Sequence, residues 1–373
     1  MIYLDNSATT RAFSSVAQVV SDSMQEQYYN ISSPYSKALE TEKALISATK
    51  IIALSLNADP KEIIFTSGGT ESDNTAILSA PAGSEVIVSA VEHHAILSCA
   101  RPLEKKGCKM IICPVTPLGT VDPAALKNLV NENTYLVSIM HVNNETGAIN
   151  PIAELVRAVK EKNPKTLFHS DGVQAFMHVC TDVKKLGVDM YSVSAHKVHG
   201  PKGVGALFIK NKTPFTPFIY GGGQQNDLRS GTVNVPGICG FAKAIEEISS
   251  SNSFAQKLAK IKSAYTEKLL AIPDSKLICP NSAPNILSIA FLGVKASSLQ
   301  NALEQEVIIG KGSACTSRSS KVSHVLEAMS LPLNVAEATV RISFGAFNTL
   351  EEVNDACESI EQKIAYLRKY KRK

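Results

Sequence analysis

The sequence has no long hydrophobic run and no strong excess of either charge. No apolar segment approaches the length of a membrane span, and the N-terminus lacks the basic region and apolar core of a secretory signal. The net charge of +4, from 38 basic and 34 acidic residues, is too small to favour nucleic acid as a main partner. These absences predict a soluble cytoplasmic protein without a membrane partner or direct nucleic-acid binding.

The eight cysteines include no C-x-x-C pair, so the commonest zinc and redox motif is absent and we predict no metal site. Most of them lie in apolar stretches such as 111–113, which is typical of small buried side chains in a reducing compartment. Cys315 differs because it lies among small and polar residues near Lys311 and Arg318. Cations favour the reactive thiolate, so Cys315 is the best candidate for a nucleophile.

Between residues 60 and 210, strand-like apolar runs alternate with helical patterns. This alternation predicts an α/β fold with a mainly parallel sheet covered on both faces. The predicted strands are 62–66, 85–90, 110–115, 135–141, 166–170, 190–194 and 205–209. The predicted helices between them include 95–106, 123–130 and 152–162.

A second set of elements follows, and it predicts a smaller α+β domain. Its predicted elements are helices over 238–272 with an interruption at 249–253, strands at 286–291 and 340–344, a helix at 297–304, and a last helix with Val353, Cys357, Ile360, Ile364 and Leu367 on one face. We predict a large domain over 14–235 and a small domain over 236–373, with residues 1–13 joining the small one.

Two side chains just past predicted strands point to pyridoxal phosphate (PLP). PLP chemistry requires a lysine that forms an imine with the cofactor aldehyde and an acid that keeps the pyridine nitrogen protonated. Lys197 and Asp171 have these positions, although a lysine at a strand end is more often a surface residue. Since ligands collect at the carboxyl ends of parallel strands, the pair favours a PLP site.

Other candidates have an ordinary alternative. The Gly-Gly-Thr turn with Gly69 and Thr70 could hold a phosphate at a helix start, or be a capped turn. His93 could stack on a cofactor ring or be a turn residue. Asn144 could bind a ring oxygen or substrate carboxylate, or cap a turn. Arg341, inside an apolar strand, needs a partner, which could be a substrate carboxylate or an internal acid.

Short motifs occur in a characteristic order along nearly the whole chain. They are residues 4–10, 67–72, 92–93, 141–147, 171 with 174, 194–197, 200–203, 221–223, 228–232, 312–315 and 341–343. This set resembles the cysteine desulfurases, which are class V aminotransferases of PLP fold type I. The small-residue stretch around Cys315 resembles the NifS/IscS-like branch.

The resemblance implies an enzyme that converts L-cysteine to L-alanine and leaves sulfur as a persulfide on Cys315. The sulfur would pass to an acceptor or scaffold protein, for iron-sulfur cluster assembly or tRNA thiolation. The enzyme would be a PLP-binding homodimer. The resemblance implies that Lys197 forms the imine, Asp171 contacts the pyridine nitrogen, His93 stacks on the ring and Gln174 contacts the phenolic oxygen. It implies that the phosphate is bound by Gly69, Thr70, Ser194, His196 and Thr232 of the partner subunit. Asn144 and Arg341 would bind the substrate carboxylate.

Three features depart from the family pattern. Tyr35 replaces a histidine in the segment 30–35, Gln225-Asn226 replaces Glu-Arg, and we expect no extended C-terminal docking tail. Another fold-type I enzyme, such as a selenocysteine lyase or an aminotransferase, would keep Lys197 and Asp171 without needing a persulfide on Cys315. A non-enzymatic scaffold would need neither the lysine nor the aspartate.

Overall fold

The computed structural model describes residues 1–250, 253–311 and 322–370, which form two β-sheets and their covering helices. The strands are β1 (Ile2–Leu4), β2 (Ile63–Thr66), β3 (Glu85–Ser89), β4 (Lys109–Cys113), β5 (Thr134–Ser138), β6 (Leu167–Asp171), β7 (Met190–Ser194), β8 (Gly205–Ile209), β9 (Ser275–Leu277), β10 (Ile286–Phe291), β11 (Val307–Lys311) and β12 (Thr339–Ser343). The helices are α1 (Ser14–Gln25), α2 (Ser36–Ser55), α3 (Gly69–Leu78), α4 (His94–Leu97), α5 (Ala100–Lys105), α6 (Pro123–Leu129), α7 (Ile152–Lys162), α8 (Val183–Leu186), α9 (Val235–Ser249), α10 (Phe254–Leu270), α11 (Ala296–Leu303), α12 (His324–Ala328), α13 (Leu333–Ala336) and α14 (Val353–Tyr370).

The larger sheet has the strand order β2-β8-β7-β6-β5-β3-β4. Only β8 runs antiparallel to its neighbours among these seven strands. Every residue of β6, β7 and β8 is buried, as expected for strands of a sheet covered on both faces. The prediction of an α/β fold with a mainly parallel sheet is confirmed.

The smaller sheet has the order β1-β11-β12-β10-β9, with β1 parallel to β11 and the other pairs antiparallel. α14 buries Val353, Cys357, Ile360 and Ile364 in the core, as its spacing predicts. The N-terminal strand lies in this sheet, whereas α9 packs against α1 and α2. The division of the chain at residues 235 and 236 stays a prediction.

One predicted helix is wrong in detail. The stretch 95–106 forms two short helices, α4 and α5, separated at Ser98 and Cys99. Pro102 lies in the first turn of α5, where its missing N–H costs no intrahelical hydrogen bond, so it favours a new helix start over a continuous helix. α1 and α2 lie outside the predicted elements. Within the described residues, no helix combines the length and apolar character of a membrane span.

The packing of α14 can be tested at Ile360, which is fully buried. Replacing Ile360 with alanine should lower the free energy of unfolding by about 3 kcal/mol, because it removes buried methyl groups and leaves a cavity. Urea unfolding followed by circular dichroism measures this change. The exposed neighbour Glu361 provides the control Glu361→Ala, and equal stability of the two variants would contradict this packing.

Candidate active site

Residues that follow β2, β3, β5, β6 and β7 line one cavity of about 300 Å³. The carboxyl ends of parallel strands meet at one edge of a sheet, so side chains far apart in the sequence converge there. Among the predicted site residues, those in the cavity wall are Gly69, Thr70, His93, Asn144, Asp171, Gln174, Ser194, His196, Lys197 and Arg341.

Lys197 and Asp171 reach the cavity from neighbouring strands. β6 ends at Asp171, which is in register with Ser192 of β7. β7 ends at Ser194, and the single turn Ala195–Lys197 then carries the lysine into the same cavity. The strand pairing therefore places an amine and a carboxyl group around one space.

Asp171 is the acid beside Lys197 that is ionised near neutral pH. Burial raises its pKa to about 6, while the Val173 N–H and the Lys197 ammonium act against that rise by favouring the carboxylate. The buried carboxyls of Asp73 and Glu92 lie nearby. Burial raises the pKa of Glu92 to about 8, so Glu92 is protonated when Asp171 is ionised, and burial together with the nearby Asp171 raises the pKa of Asp73.

The N-terminal segment after β1 forms part of the cavity wall. The Ser7 carbonyl accepts hydrogen bonds from Lys197 Nζ at 2.5 Å and from Gln174 Nε2 at 2.9 Å. The Ala8 carbonyl accepts a second bond from Lys197 Nζ at 2.8 Å. These carbonyls orient the amine. Because they belong to the backbone, the residue types in the sequence could not predict this contribution.

The start of α3 forms an anion-binding end of the cavity. A Cβ on Gly69 would lie 2.6 Å from Val173 Cγ2, so only glycine permits this close approach of the helix start to the cavity wall. The first amides of a helix have no intrahelical acceptor and attract an anion. Thr70, Ser194 and His196 line the same space, with His196 Nδ1 hydrogen-bonded to Thr9 Oγ1 at 3.1 Å.

His93 is uncharged in this site. Burial is the main cause that lowers the pKa of His93 to about 4, and smaller contributions come from the nearby Lys197, His94 and His324. Its Nδ1 accepts a hydrogen bond from the Ala95 N–H at 3.1 Å, which fixes the ring at the start of α4. A neutral, flat imidazole in the wall fits both stacking and proton exchange.

Asn143, the residue before Asn144, has the turn-capping role. Its Oδ1 accepts bonds from the Glu145 and Thr146 N–H groups, each at 2.9 Å. Asn144 is thereby placed in the cavity wall, and its carbonyl accepts a bond from Arg341 Nη1 at 2.8 Å. A role for the Asn144 side chain toward substrate stays a prediction.

Arg341 has an internal acidic partner, one of the two alternatives that its position in an apolar strand left open. Its Nη2 lies 2.7 Å from Asp5 Oδ1, and the arginine side chain is 1% exposed. A guanidinium buried in a sheet requires such a counter-charge. Arg341 also lines the cavity, so a further contact with a substrate carboxylate stays a prediction.

Several cavity residues were not predicted from the sequence. They include Ser7, Ala8, Asp73, His94, Glu145 and His324. Ser323 Oγ donates a short hydrogen bond to Glu145, and His324 Nε2 lies 3.0 Å from the Glu92 carbonyl. Glu145 shares a motif with Asn144 and His94 follows His93, so sequence proximity was the available signal.

Two predicted site residues are not in the cavity of the described chain, and one family position lies elsewhere. Cys315 lies outside the described residues. Thr232 is exposed and does not line the cavity. Tyr35, at the family's histidine position, contacts the Tyr29 ring at a centroid distance of 6.0 Å and is also outside the cavity wall.

The residues present fit PLP. A lysine, an acid that is ionised near neutral pH, an uncharged imidazole and a helix start surround one cavity. Together they could hold an aldehyde, a protonated ring nitrogen, a ring face and a phosphate. Groups of acids, cysteines and histidines that could hold a metal ion are absent from the described residues.

Comparisons with known proteins agree with this arrangement. The family model described as Aminotransferase class-V matches residues 2–355. A Dictyoglomus turgidum protein named cysteine desulfurase IscS is 40% identical over 99% of this chain and 97% of its own length. A Methanosarcina thermophila protein of the same name is 39% identical over 98% of this chain and 93% of its own length. A solved NifS-like protein is 37% identical, with a TM-score of 0.90, over 98% of this chain and 99% of that one.

Asp171→Asn should stabilise the cofactor-free protein at neutral pH. The folded chain holds the Asp171 proton more tightly than the unfolded chain, so ionisation costs stability as the pH rises from about 4 to about 6. The full cost above that range is on the order of 3 kcal/mol. Urea unfolding should show an advantage of the variant at about pH 8 that shrinks toward about pH 4. An advantage independent of pH would contradict this assignment.

Asp5→Asn should destabilise the protein because Arg341 then lacks its buried counter-charge. We expect a loss of about 3 kcal/mol, at the lower end for a buried pair, since Asp5 is partly exposed. Thermal and urea unfolding measure the loss. Asp22→Asn, at an exposed position on α1, is the matched control, and a similar small effect of both changes would mean that the pair is dispensable.

Proposed function

Because the chain belongs to the class-V aminotransferase family, we propose that it is a PLP-dependent cysteine desulfurase that converts L-cysteine to L-alanine. The convergence of Asp171 and Lys197 at the ends of β6 and β7, in one cavity, carries this proposal. The family resemblance predicted from the motifs is confirmed by relatives of the same length. No feature of the described residues favours the selenocysteine lyase or aminotransferase alternative.

Bound PLP would supply an electron sink that stabilises negative charge at the substrate α-carbon. Lys197 would hold the cofactor aldehyde, and Asp171 would keep the pyridine nitrogen protonated. His93 would lie against the ring, with Gln174 at the phenolic oxygen. The start of α3 and the side chains of Thr70, Ser194 and His196 would bind the phosphate.

Lys197 and His93 are the groups placed to move protons. Lys197 Nζ would be the base that removes the substrate α-proton, and the Ser7 and Ala8 carbonyls lie within hydrogen-bond reach of it. The low pKa of His93 keeps it neutral at pH 7, and because Nδ1 accepts the Ala95 N–H, the ring proton lies on Nε2, from which it could be donated. Arg341 and Asn144 would face the substrate carboxylate.

Cys315 would receive the sulfur. Its thiolate would attack the substrate sulfur and form an S–S bond while the substrate C–S bond breaks and its electron pair stays with the substrate carbon, which is then protonated to give alanine. The cations Lys311 and Arg318 in the same stretch of sequence favour the thiolate. The persulfide would then pass to an acceptor or scaffold protein, for iron-sulfur cluster assembly or tRNA thiolation.

A homodimer would complete the phosphate site with Thr232 of the partner subunit. Thr232 is exposed in the single chain and lies outside its own cavity, as a residue that serves a partner would be. Tyr35, Leu39 and Ile46 form an exposed apolar stripe at the start and along one face of α2. A stripe of this kind supports burial against a second copy.

We propose the cytoplasm as the location. The seven described cysteines are all free, which is typical of proteins in reducing compartments. A mitochondrial relative from Candida albicans, 36% identical, shows that the family also occurs in that organelle.

Cys315→Ser tests the assignment of the nucleophile. The variant should bind PLP and L-cysteine but form no persulfide, because a serine hydroxyl stays protonated near neutral pH. Mass spectrometry after incubation with L-cysteine should show added sulfur on the wild-type Cys315 peptide only, and alanine release should fall by at least about 100-fold.

The control is Cys180→Ser, since Cys180 is exposed and lies outside the cavity. It should keep both the sulfur adduct and alanine release. Alanine release by Cys315→Ser at the wild-type rate would favour a lyase that needs no persulfide on this residue.

A further inference from the structure

The segment 221–232, which we call the rim segment, has an unusual backbone. Gln225, Asn226 and Asp227 are consecutive non-glycine residues with positive φ, at 52°, 58° and 63°. L-residues in this left-handed region cost free energy, and three in succession persist only where the surroundings hold them. The rim segment ends at Thr232, the residue proposed to reach the partner's phosphate site.

Gln225 connects this strained turn to the larger sheet. Its Oε1 accepts a hydrogen bond from the Phe65 N–H at 2.7 Å, and its Nε2 donates to the Phe65 carbonyl at 2.9 Å. Phe65 belongs to β2, the edge strand of the sheet, whose outer side has no strand partner among the described residues. The side-chain amide therefore pairs with β2 as the backbone of a further strand would.

A second contact joins the rim segment to the turn that follows β2. Arg229 Nε lies 2.8 Å from Glu71 Oε1, and Glu71 Oε2 accepts the Ser67 N–H at 2.8 Å. Gln224 Oε1 accepts the Gly231 N–H at 2.8 Å within the segment itself. Gln225 and Arg229 thus hold the rim segment on both sides of the phosphate-binding turn.

We propose that Gln225 is a positioning residue that fixes the rim segment, and with it Thr232, relative to β2, and that its neutral amide makes this contact independent of pH. The claim about Thr232 rests on the proposed function, whereas the contact with β2 does not. The family pattern has a glutamate at this position. A carboxylate could accept from the Phe65 N–H but could not donate to the Phe65 carbonyl, and only a protonated carboxyl group could do both.

The ion pair beside this contact joins Arg229 of the rim segment to Glu71 of α3, and Asp227 lies in the same turn as Gln225. The hydrogen bond with Glu71 raises the pKa of Arg229. Burial favours protonation of Glu71, but hydrogen bonds from Arg229 and Ser67 outweigh it and lower the pKa of this carboxyl. A pH effect in a Gln225 variant therefore comes from the new side chain.

Gln225→Glu provides a test with its own pH signature. In the full-length, cofactor-free protein, hydrogen exchange of 221–232 should match wild type near about pH 5. We expect the facing Phe65 carbonyl to raise the pKa of the substituted carboxyl group from about 4.3 to above about 5, so that its protonated form makes both bonds there. Relative to wild type at the same pH, exchange should be roughly tenfold faster near about pH 8, where the donor is lost. Gln225→Ala should show fast exchange at both pH values.

Gln224→Glu is the matched control, because it adds the same charge one residue away and keeps an acceptor for the Gly231 N–H. It should exchange like wild type throughout. The dissociation constant for PLP should rise about fivefold or more in Gln225→Glu at about pH 8 and return to the wild-type value near about pH 5.

If the rim segment of the Gln225→Glu variant exchanged its amide hydrogens at the wild-type rate at the higher pH, the proposed contact with β2 would be wrong. Faster exchange with unchanged PLP affinity would overturn the positioning role. If the wild-type protein binds no PLP, the proposed function fails, while the exchange measurement still decides whether Gln225 holds the rim segment.

Discussion

The parallel pairing of β6 with β7 sets the positions of the two side chains on which the site depends. Register places Asp171, the last residue of β6, beside Ser192, and β7 ends two residues later. The single turn Ala195–Lys197 that follows then carries Lys197 into the cavity that Asp171 lines. Complete burial of both strands makes this register costly to change, because a shift of one residue would exchange every inward and outward side chain.

Electrostatics follows from the same burial. Four buried carboxyl groups lie in or beside the cavity, those of Asp73, Glu92, Glu145 and Asp171, and water reaches none of them well. The pKa of Asp171, about 6, is lower than that of Glu92, about 8. The reason is that Asp171 has both a backbone N–H and the Lys197 ammonium to stabilise its charge. The site thus concentrates one negative charge where a protonated ring nitrogen would lie, while His93 is kept neutral.

The sequence predicted much of this site because its side chains fall at strand ends. Strand boundaries at 190–194 and 205–209 match the structure, and so the placement of Lys197 follows. The contributions of Ser7 and Ala8 could not be predicted in this way, since they come from backbone carbonyls of a segment remote in sequence. The internal partner of Arg341 was one of two alternatives, and only the pairing of β1 beside β11, which brings Asp5 into reach, decides that it exists.

The central claim is that Lys197 holds PLP in this cavity, and borohydride reduction tests it most directly. The protein incubated with PLP is reduced and digested, and the modified peptide is mapped by mass spectrometry. The account predicts a single stoichiometric modification at Lys197, which is lost when Lys197 is replaced by alanine and kept when the nearby Lys202 is replaced. Modification at another lysine, or none under conditions where PLP is bound, would contradict it.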